Sequence, residues 1–188
     1  AAQLECWTLM LSATNLLDPA NGKPIVAPHQ DMVLGIFYLT KEMPGAHGEG
    51  HHYNNIAEIE AAIDQNAVSY NAKIKFRFKK GLEIIDKDGN SVISDGKTWF
   101  DTTPGRILFN AALPEGVPFQ NYLLGDKQLK KVIGSTIKNN KASVAIELLD
   151  SIKDVGYKYA TLFGATIGLS DMIVPDVKKE LVTKANEE

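Results

Sequence analysis

A second cysteine is missing from this chain. With Cys6 alone, no disulfide can close within it, and a lone thiol suits a reducing compartment. Long hydrophobic runs are missing as well: no apolar stretch reaches the ~18–20 residues that cross a bilayer, and no secretory leader is visible. Excess positive charge is also lacking, since 20 Lys and Arg stand against 23 Asp and Glu, for a formal net charge of −3. The chain as a whole therefore lacks the electrostatic footprint of a free-standing nucleic-acid binder. Walker-type phosphate loops, a nucleophile elbow, Cys-His pairs and internal repeats do not occur either, which removes the usual signatures of several enzyme classes and of solenoids. These exclusions leave a cytoplasmic protein with no membrane partner as the expectation.

What is present is enough apolar material, 44% of 188 residues, for a packed core. A chain of this size buries roughly 70% of its unfolded surface. It fits one domain, or one domain and part of another. Ala1 falls inside a segment that already reads as helix, so a piece trimmed from a longer protein is expected.

Apolar residues at spacings of three and four (Leu4, Trp7, Met10, Leu11) predict a helix over 2–17, stopped by Asp18-Pro19. Residues 25–27 and 32–39 read as two buried strands, with Gly35 at a bulge, and 41–53 as a Gly/Pro/His loop. Asn55 caps a short helix with Glu58 as its capping-box partner and Ile56, Ile59 and Ile63 on one face. Strict alternation over 73–79 predicts a strand with one apolar and one basic face. Turns at 86–90 and 94–96 separate short strands near 82–86, 91–93 and 97–100, and 106–109 reads as another. Helices are predicted at 126–139, at 143–155 ending on Gly156, at 157–163 stopping at Gly164, and after Pro175-Asp176; residues 165–169 suggest a strand. The fold class is α+β: a small mixed or antiparallel sheet region followed by a helical region, with an N-terminal helix.

The stretch Leu16–Thr40 joins one rigid turn, Asp18-Pro19-Ala20-Asn21-Gly22, to a second, Pro28-His29-Gln30-Asp31, and then to an apolar run. It resembles the β′ subunit family of bacterial DNA-directed RNA polymerase, just downstream of that family's acidic NADFDGD metal-binding motif, which this sequence does not contain. Further matching segments run in order along the whole chain: Gly48-Glu49-Gly50, Thr102-Thr103-x-Gly105-Arg106, Leu113-Pro114-x-Gly116-x-Pro118-Phe119, Gly156-Tyr157-Lys158-Tyr159-Ala160 and Asp171-Met172-Ile173-Val174-Pro175. Ser170, Leu162-Phe163, Ala13 and Asp18 depart from the family pattern. The resemblance implies a segment lining the secondary channel beside the active centre, with residues 1–17 trailing the catalytic barrel, 18–170 forming the pore domain and 171–188 beginning a funnel helix. It implies Mg²⁺ in the intact enzyme with ligands outside this chain, and as partners the rest of β′, β and other subunits, RNA, DNA and nucleoside triphosphates, and factors that enter the channel. The fragment itself would be inactive and hold no metal. A packing and docking module within the polymerase is the alternative.

Asn21 and Gln30 are the substrate- or RNA-proximal residues on this reading, because an amide offers both donor and acceptor without fixed charge. Turn chemistry is the bland account of both. Asp31 lacks the spaced acidic partners that two-metal chemistry needs, so it reads as a strand-entry or salt-bridge residue. His47, His51 and His52 fall in a Gly-rich loop without the fixed ligand set of zinc. Asp86-x-Asp88-x-Asn90 has calcium-loop spacing, but Ser91 stands where Gly is required and Lys97 where the chelating Glu belongs, so it reads as a hairpin turn. The basic face of Lys73, Lys75, Arg77, Lys79 and Lys80 reads more readily as solvated strand than as a phosphate track.

Overall fold

The computed structural model describes residues 1–187. It is an α+β fold in which two cores share one helix. The sheet half contains β1 (His52–Tyr53), β2 (Ile74–Arg77), β3 (Glu83–Ile85), β4 (Ser91–Ile93), β5 (Trp99–Thr102) and β6 (Phe119–Gln120). β2 pairs parallel with β1 and antiparallel with β5; β3 pairs antiparallel with β4 and parallel with β6. The helices are α1 (Ala2–Glu5), α2 (Asp31–Thr40), α3 (Ile56–Asp64), α4 (Pro104–Ala111), α5 (Asp126–Asn139), α6 (Ala142–Phe163) and α7 (Val177–Glu187).

Alternation along β2 buries Ile74 and Phe76 and leaves Lys75 and Arg77 outside. The buried face meets Ile59, Phe78, Ile84, Ile107 and Phe119, and the Phe78 and Phe119 rings lie edge-on at 4.5 Å. The other core joins Ile36 and Leu39 of α2 to Phe109, Leu129, Ile133, Leu148 and Ile152. α4 divides its side chains between the two, with Ile107 in one and Phe109 in the other. A helix shared in this way ties the two cores together.

Six sequence expectations are corrected here. Residues 32–39 form helix α2 rather than a strand; an apolar run of this length has no periodicity that separates a buried strand from a buried helix. Residues 106–109 belong to helix α4, which the Thr103 side chain caps and Pro104 opens. α6 does not stop at Gly156 but runs to Gly164, whose φ of +53° gives the left-handed cap. The N-terminal helix is short: after α1 a π-turn covers Cys6–Met10, Leu11 turns extended, and a 3₁₀ turn covers Ser12–Thr14. Residues 25–27 and 165–169 carry no strand.

Glycine explains why α6 continues. A Cβ on Gly156 would lie 2.7 Å from the Met32 Cα and carbonyl oxygen, and one on Gly35 would lie 2.7 Å from the Ala160 nitrogen and inside contact distance of the Gly156 carbonyl oxygen. α2 and α6 therefore cross backbone to backbone. The glycines cost helix propensity, ~1 kcal/mol each, in exchange for this close approach.

A candidate substrate-facing site at the entry to helix α2

Residues 16–25 fold back as a narrow hairpin. Leu17 bridges Pro24, the Asp18 N–H donates to the Lys23 carbonyl at 2.8 Å, and the Ile25 N–H donates to the Leu16 carbonyl at 2.9 Å. Asp18 and Asn21 lock the turn between them. The Asp18 carboxylate accepts from the Ala20 N–H (2.9 Å) and from Asn21 Nδ2 (2.6 Å), and Asn21 Oδ1 accepts from the Lys23 N–H (2.9 Å). Both ends of the Asn21 amide are thus engaged, which is the turn chemistry expected of an Asn-Gly pair. The residue nevertheless remains exposed, with one N–H and one lone pair still open. The base of the hairpin rests on α5, where Pro24 approaches the space a side chain on Gly134 would fill.

Gln30 is the N-cap of α2 and has φ +51°, ψ −119°. A non-glycine residue there stores strain of order 1–3 kcal/mol, held only because its surroundings over-determine it. The Gln30 side chain gives no capping bond to the helix and is exposed. Its carbonyl accepts the Leu34 N–H at 3.0 Å, so the backbone is committed while the amide is not. Asp31 follows in the first turn, where a carboxylate favours the positive end of the helix dipole. The strand-entry and salt-bridge reading of Asp31 is therefore replaced by a helix-start role, and no ion pair engages it among the described residues. No hydrogen bond joins Asn21 to Gln30 among the described residues; the hairpin and the helix hold them separately.

The opposite end of α2 is tightly held. Asn71 Nδ2 donates to the carbonyls of Tyr38 (2.6 Å) and Lys41 (2.7 Å), and Arg106 Nε donates to the Thr40 carbonyl (3.1 Å). Buried Thr40 donates its hydroxyl to the Ile36 carbonyl (2.8 Å) and accepts the Leu124 N–H (3.0 Å). Carbonyls left open at a helix C-terminus are satisfied here by side chains from distant segments. Gly105 lets α4 press against the Leu39 carbonyl oxygen. Burial pushes the Arg106 guanidinium below its ordinary pKa, and the carboxylates of Glu42 and Asp86 pull it back. The Thr-Thr-x-Gly-Arg segment thus works as a clamp on α2. Asn71 and Thr40, which sequence reasoning missed, complete it; no local pattern marks an Asn that acts 30 residues away.

The remaining predicted positions lie elsewhere. Asn55 accepts the Ala57 N–H at 3.4 Å, while Glu58 reaches the N–H of Asn54 rather than that of Asn55. Just before β2, Lys73 meets Asp101 at 3.3 Å, and at the end of β2 the Arg77 guanidinium lies 4.5 Å from the Trp99 ring centre. His52 packs edge-on against Trp99 and His51 against Tyr53. Asp86 to Asn90 closes the β3–β4 hairpin, with the Gly89 N–H donating to the Asp86 carbonyl. No group of three His, Cys, Asp or Glu side chains that could hold a metal converges among the described residues.

Comparison with known proteins returns a consistent set. A family model described as RNA polymerase Rpb1, domain 3, matches residues 15–172. The chain is 48% identical over 189 residues to the DNA-directed RNA polymerase subunit beta' of Treponema denticola, 45% over 188 residues to that of Borreliella afzelii, and 42% over 189 residues to that of Treponema pallidum. Each alignment covers 100% of this chain and 12% of the relative. The chain thus spans about an eighth of the length of these curated relatives.

Proposed function

We propose a function on one premise: this chain belongs to the RNA polymerase Rpb1, domain 3, family. On that premise it is a β′ segment of a DNA-dependent RNA polymerase, in which the RNA 3′ hydroxyl attacks the α-phosphate of an incoming nucleotide and pyrophosphate leaves. It lines the secondary channel beside the active centre and does no bond-making itself. Residues 1–17 trail the catalytic barrel, 18–170 form the pore domain, and 171–188 begin a funnel helix. Its partners are the rest of β′, β and the other subunits, together with the nucleic acids and nucleotides that the whole enzyme handles.

The residues present do not fit Mg²⁺: no convergent carboxylate set exists among the described residues, whereas the ion requires several oxygen ligands in near-octahedral geometry. Its ligands would lie outside this chain.

The observation that carries the reading is Gln30: an exposed, uncommitted amide on a strained backbone, at the mouth of a helix whose far end is clamped by Asn71 and Arg106. Strain kept at an exposed residue whose side chain makes no capping bond marks a positioned contact group. Asn21, held rigid in its turn, would form a second, neutral polar wall for ribose hydroxyls, base edges or phosphate oxygens. Gln30→Ala and Asn21→Ala in the full-length polymerase test this. The expected result is a raised nucleotide KM or altered pausing with unchanged assembly; thermal stability stays unchanged in Gln30→Ala, whereas Asn21→Ala also loses its two turn hydrogen bonds. Unchanged kinetics with weakened assembly would refute it.

A second reading, a packing and docking module, is favoured by a separate observation. Trp7, Leu9 and Met10 near one end, and Ile167, Leu169 (91% exposed) and Ile173 (89% exposed) near the other, present large apolar side chains to solvent. Patches of this kind mark surfaces that another protein surface covers. The two readings concern different parts of the chain and are compatible.

A further inference from the structure

Three lysines meet over one cleft that the proposed function does not use. The cleft, about 350 Å³, lies between the β3–β4 turn and α5, and Lys87, Lys127 and Lys131 line it together with Tyr122, Gln128 and Ser135. Helical spacing puts residues 127, 128, 131 and 135 on one face of α5. Lys131 reaches across the gap: its Nζ lies 3.8 Å from the point a side chain on Gly89, in the turn, would occupy.

The charges around this cleft do not balance. The adjacent Lys130 is tied to Asp126 at 2.8 Å, and Lys73 and Lys153 also have carboxylate partners. Lys87, Lys127 and Lys131 have no ion pair among the described residues. Asp86 is the one carboxylate on the walls, and its Oδ1 accepts the backbone N–H of Lys87 at 2.7 Å. Three ammonium groups against one carboxylate leave a net charge of +2. A cleft lined by one sign of charge focuses its field and concentrates counter-ions. Each ammonium offers three donors and no acceptor, so the ligand must bring the acceptors. Phosphate oxygens do this, and lysine binds them as a point charge without the planar geometry that arginine requires.

We propose that this cleft binds a small phosphorylated molecule carrying at least two phosphate charges. Its volume suits one compact ligand. Lysines approaching from opposite walls embrace such a ligand, whereas a nucleic-acid strand needs a track of charge interleaved with open aromatic faces. The only aromatic ring on the walls is Tyr122, and its hydroxyl already donates to Gln120 Oε1 at 2.8 Å.

The proposal is independent of Asn21 and Gln30, and lysine acylation footprinting tests it directly. The assembled full-length protein that carries this chain is labelled with an amine-reactive acetylating reagent, and each lysine is quantified by mass spectrometry. Labelling is run with sodium tripolyphosphate, with single-stranded oligothymidylate, and with sodium chloride at matched ionic strength. Tripolyphosphate should slow acylation at Lys87, Lys127 and Lys131 by about threefold to tenfold, as expected when a nearby phosphate raises an amine pKa by up to about one. Lys130 and Lys138 should label at unchanged rates. Equal labelling in all arms would overturn the proposal, as would equal protection of Lys130 and Lys138. Protection by oligothymidylate but not by tripolyphosphate would replace the small ligand with a nucleic-acid strand and likewise overturn it.

Discussion

Gly35→Ala tests the contact on which the presentation of Gln30 depends. The new methyl carbon would fall within contact distance of the Gly156 carbonyl oxygen and 2.7 Å from the Ala160 nitrogen. Both obstacles are main-chain atoms of α6, so no side-chain rotation relieves them; α2 must move away. Overpacking a close-fitted core costs typically 1–3 kcal/mol, toward the upper end when backbone has to shift. Replacing a mid-helix glycine with alanine returns about 1 kcal/mol of helix propensity. The net loss is therefore about 2 kcal/mol. For a chain of this length that lowers Tm by roughly 4–8 °C.

Gly134→Ala supplies the control. It is also a glycine inside a helix, but its added carbon would meet only Pro24 side-chain atoms at 3.8 and 4.0 Å. That substitution should be neutral or stabilising by up to about 1 kcal/mol. Both variants are compared by thermal unfolding followed by circular dichroism. A Gly35→Ala protein as stable as Gly134→Ala would show that α2 and α6 are not in backbone contact, and the rigid mounting of Gln30 would go with it.

Four further outcomes follow from the same geometry. Asn71→Ala strips two donors from the carbonyls of Tyr38 and Lys41 and should destabilise by about 2–3 kcal/mol in urea unfolding; Asn71→Asp should not rescue it, since a carboxylate has no hydrogen to give. Gln30→Gly should relieve the positive φ and raise stability by about 1 kcal/mol, whereas Gln30→Ala keeps the strain and should leave stability unchanged; denaturant midpoints of the pair separate backbone strain from amide loss. The backbone N–H groups of Thr98 and Lys97 and the Thr98 hydroxyl hold the Asp95 carboxyl down at about 2. A depressed carboxyl pKa supports the folded turn above the unfolded value near 4 and loses that support as pH falls toward 2, so the Thr98 amide resonance should shift over that window in the native chain and stay flat in Asp95→Asn. The exposed apolar ends predict self-association of the isolated chain, visible as a concentration-dependent sedimentation coefficient that Trp7→Ser with Leu169→Ser reduces.

Much of the fold was legible before the structure. The observed limits of α5, 126–139, are those predicted from Leu129, Val132, Ile133 and Ile137, which recur at spacings of three and four along an otherwise polar stretch. β2 followed from alternation, and the end of α6 from Gly164. These patterns are local, and the residues that write them are the ones that fold. Of the candidate site, the two turns that hold Asn21 and Gln30 are legible in the sequence, while the turn bonds of the first and the strained backbone of the second come only from the structure. The lysine cleft left no trace in the sequence, since Lys87 and Lys131 meet only when a hairpin tip is laid over a helix.

What the sequence determined alone was the α+β character, the alternating strand, the capped and glycine-ended helices, and membership of a polymerase family through motifs in fixed order. What only tertiary structure decided was the state of the apolar run at 32–39 and the role of its glycine. Hydrophobicity says that such a segment is buried, not how its backbone is wound. Winding it as a helix became favourable because Gly35 could meet Gly156 and because Asn71 and Arg106 were there to take the carbonyls at its end. Those partners lie between 30 and about 120 positions away along the chain, beyond the reach of any local pattern.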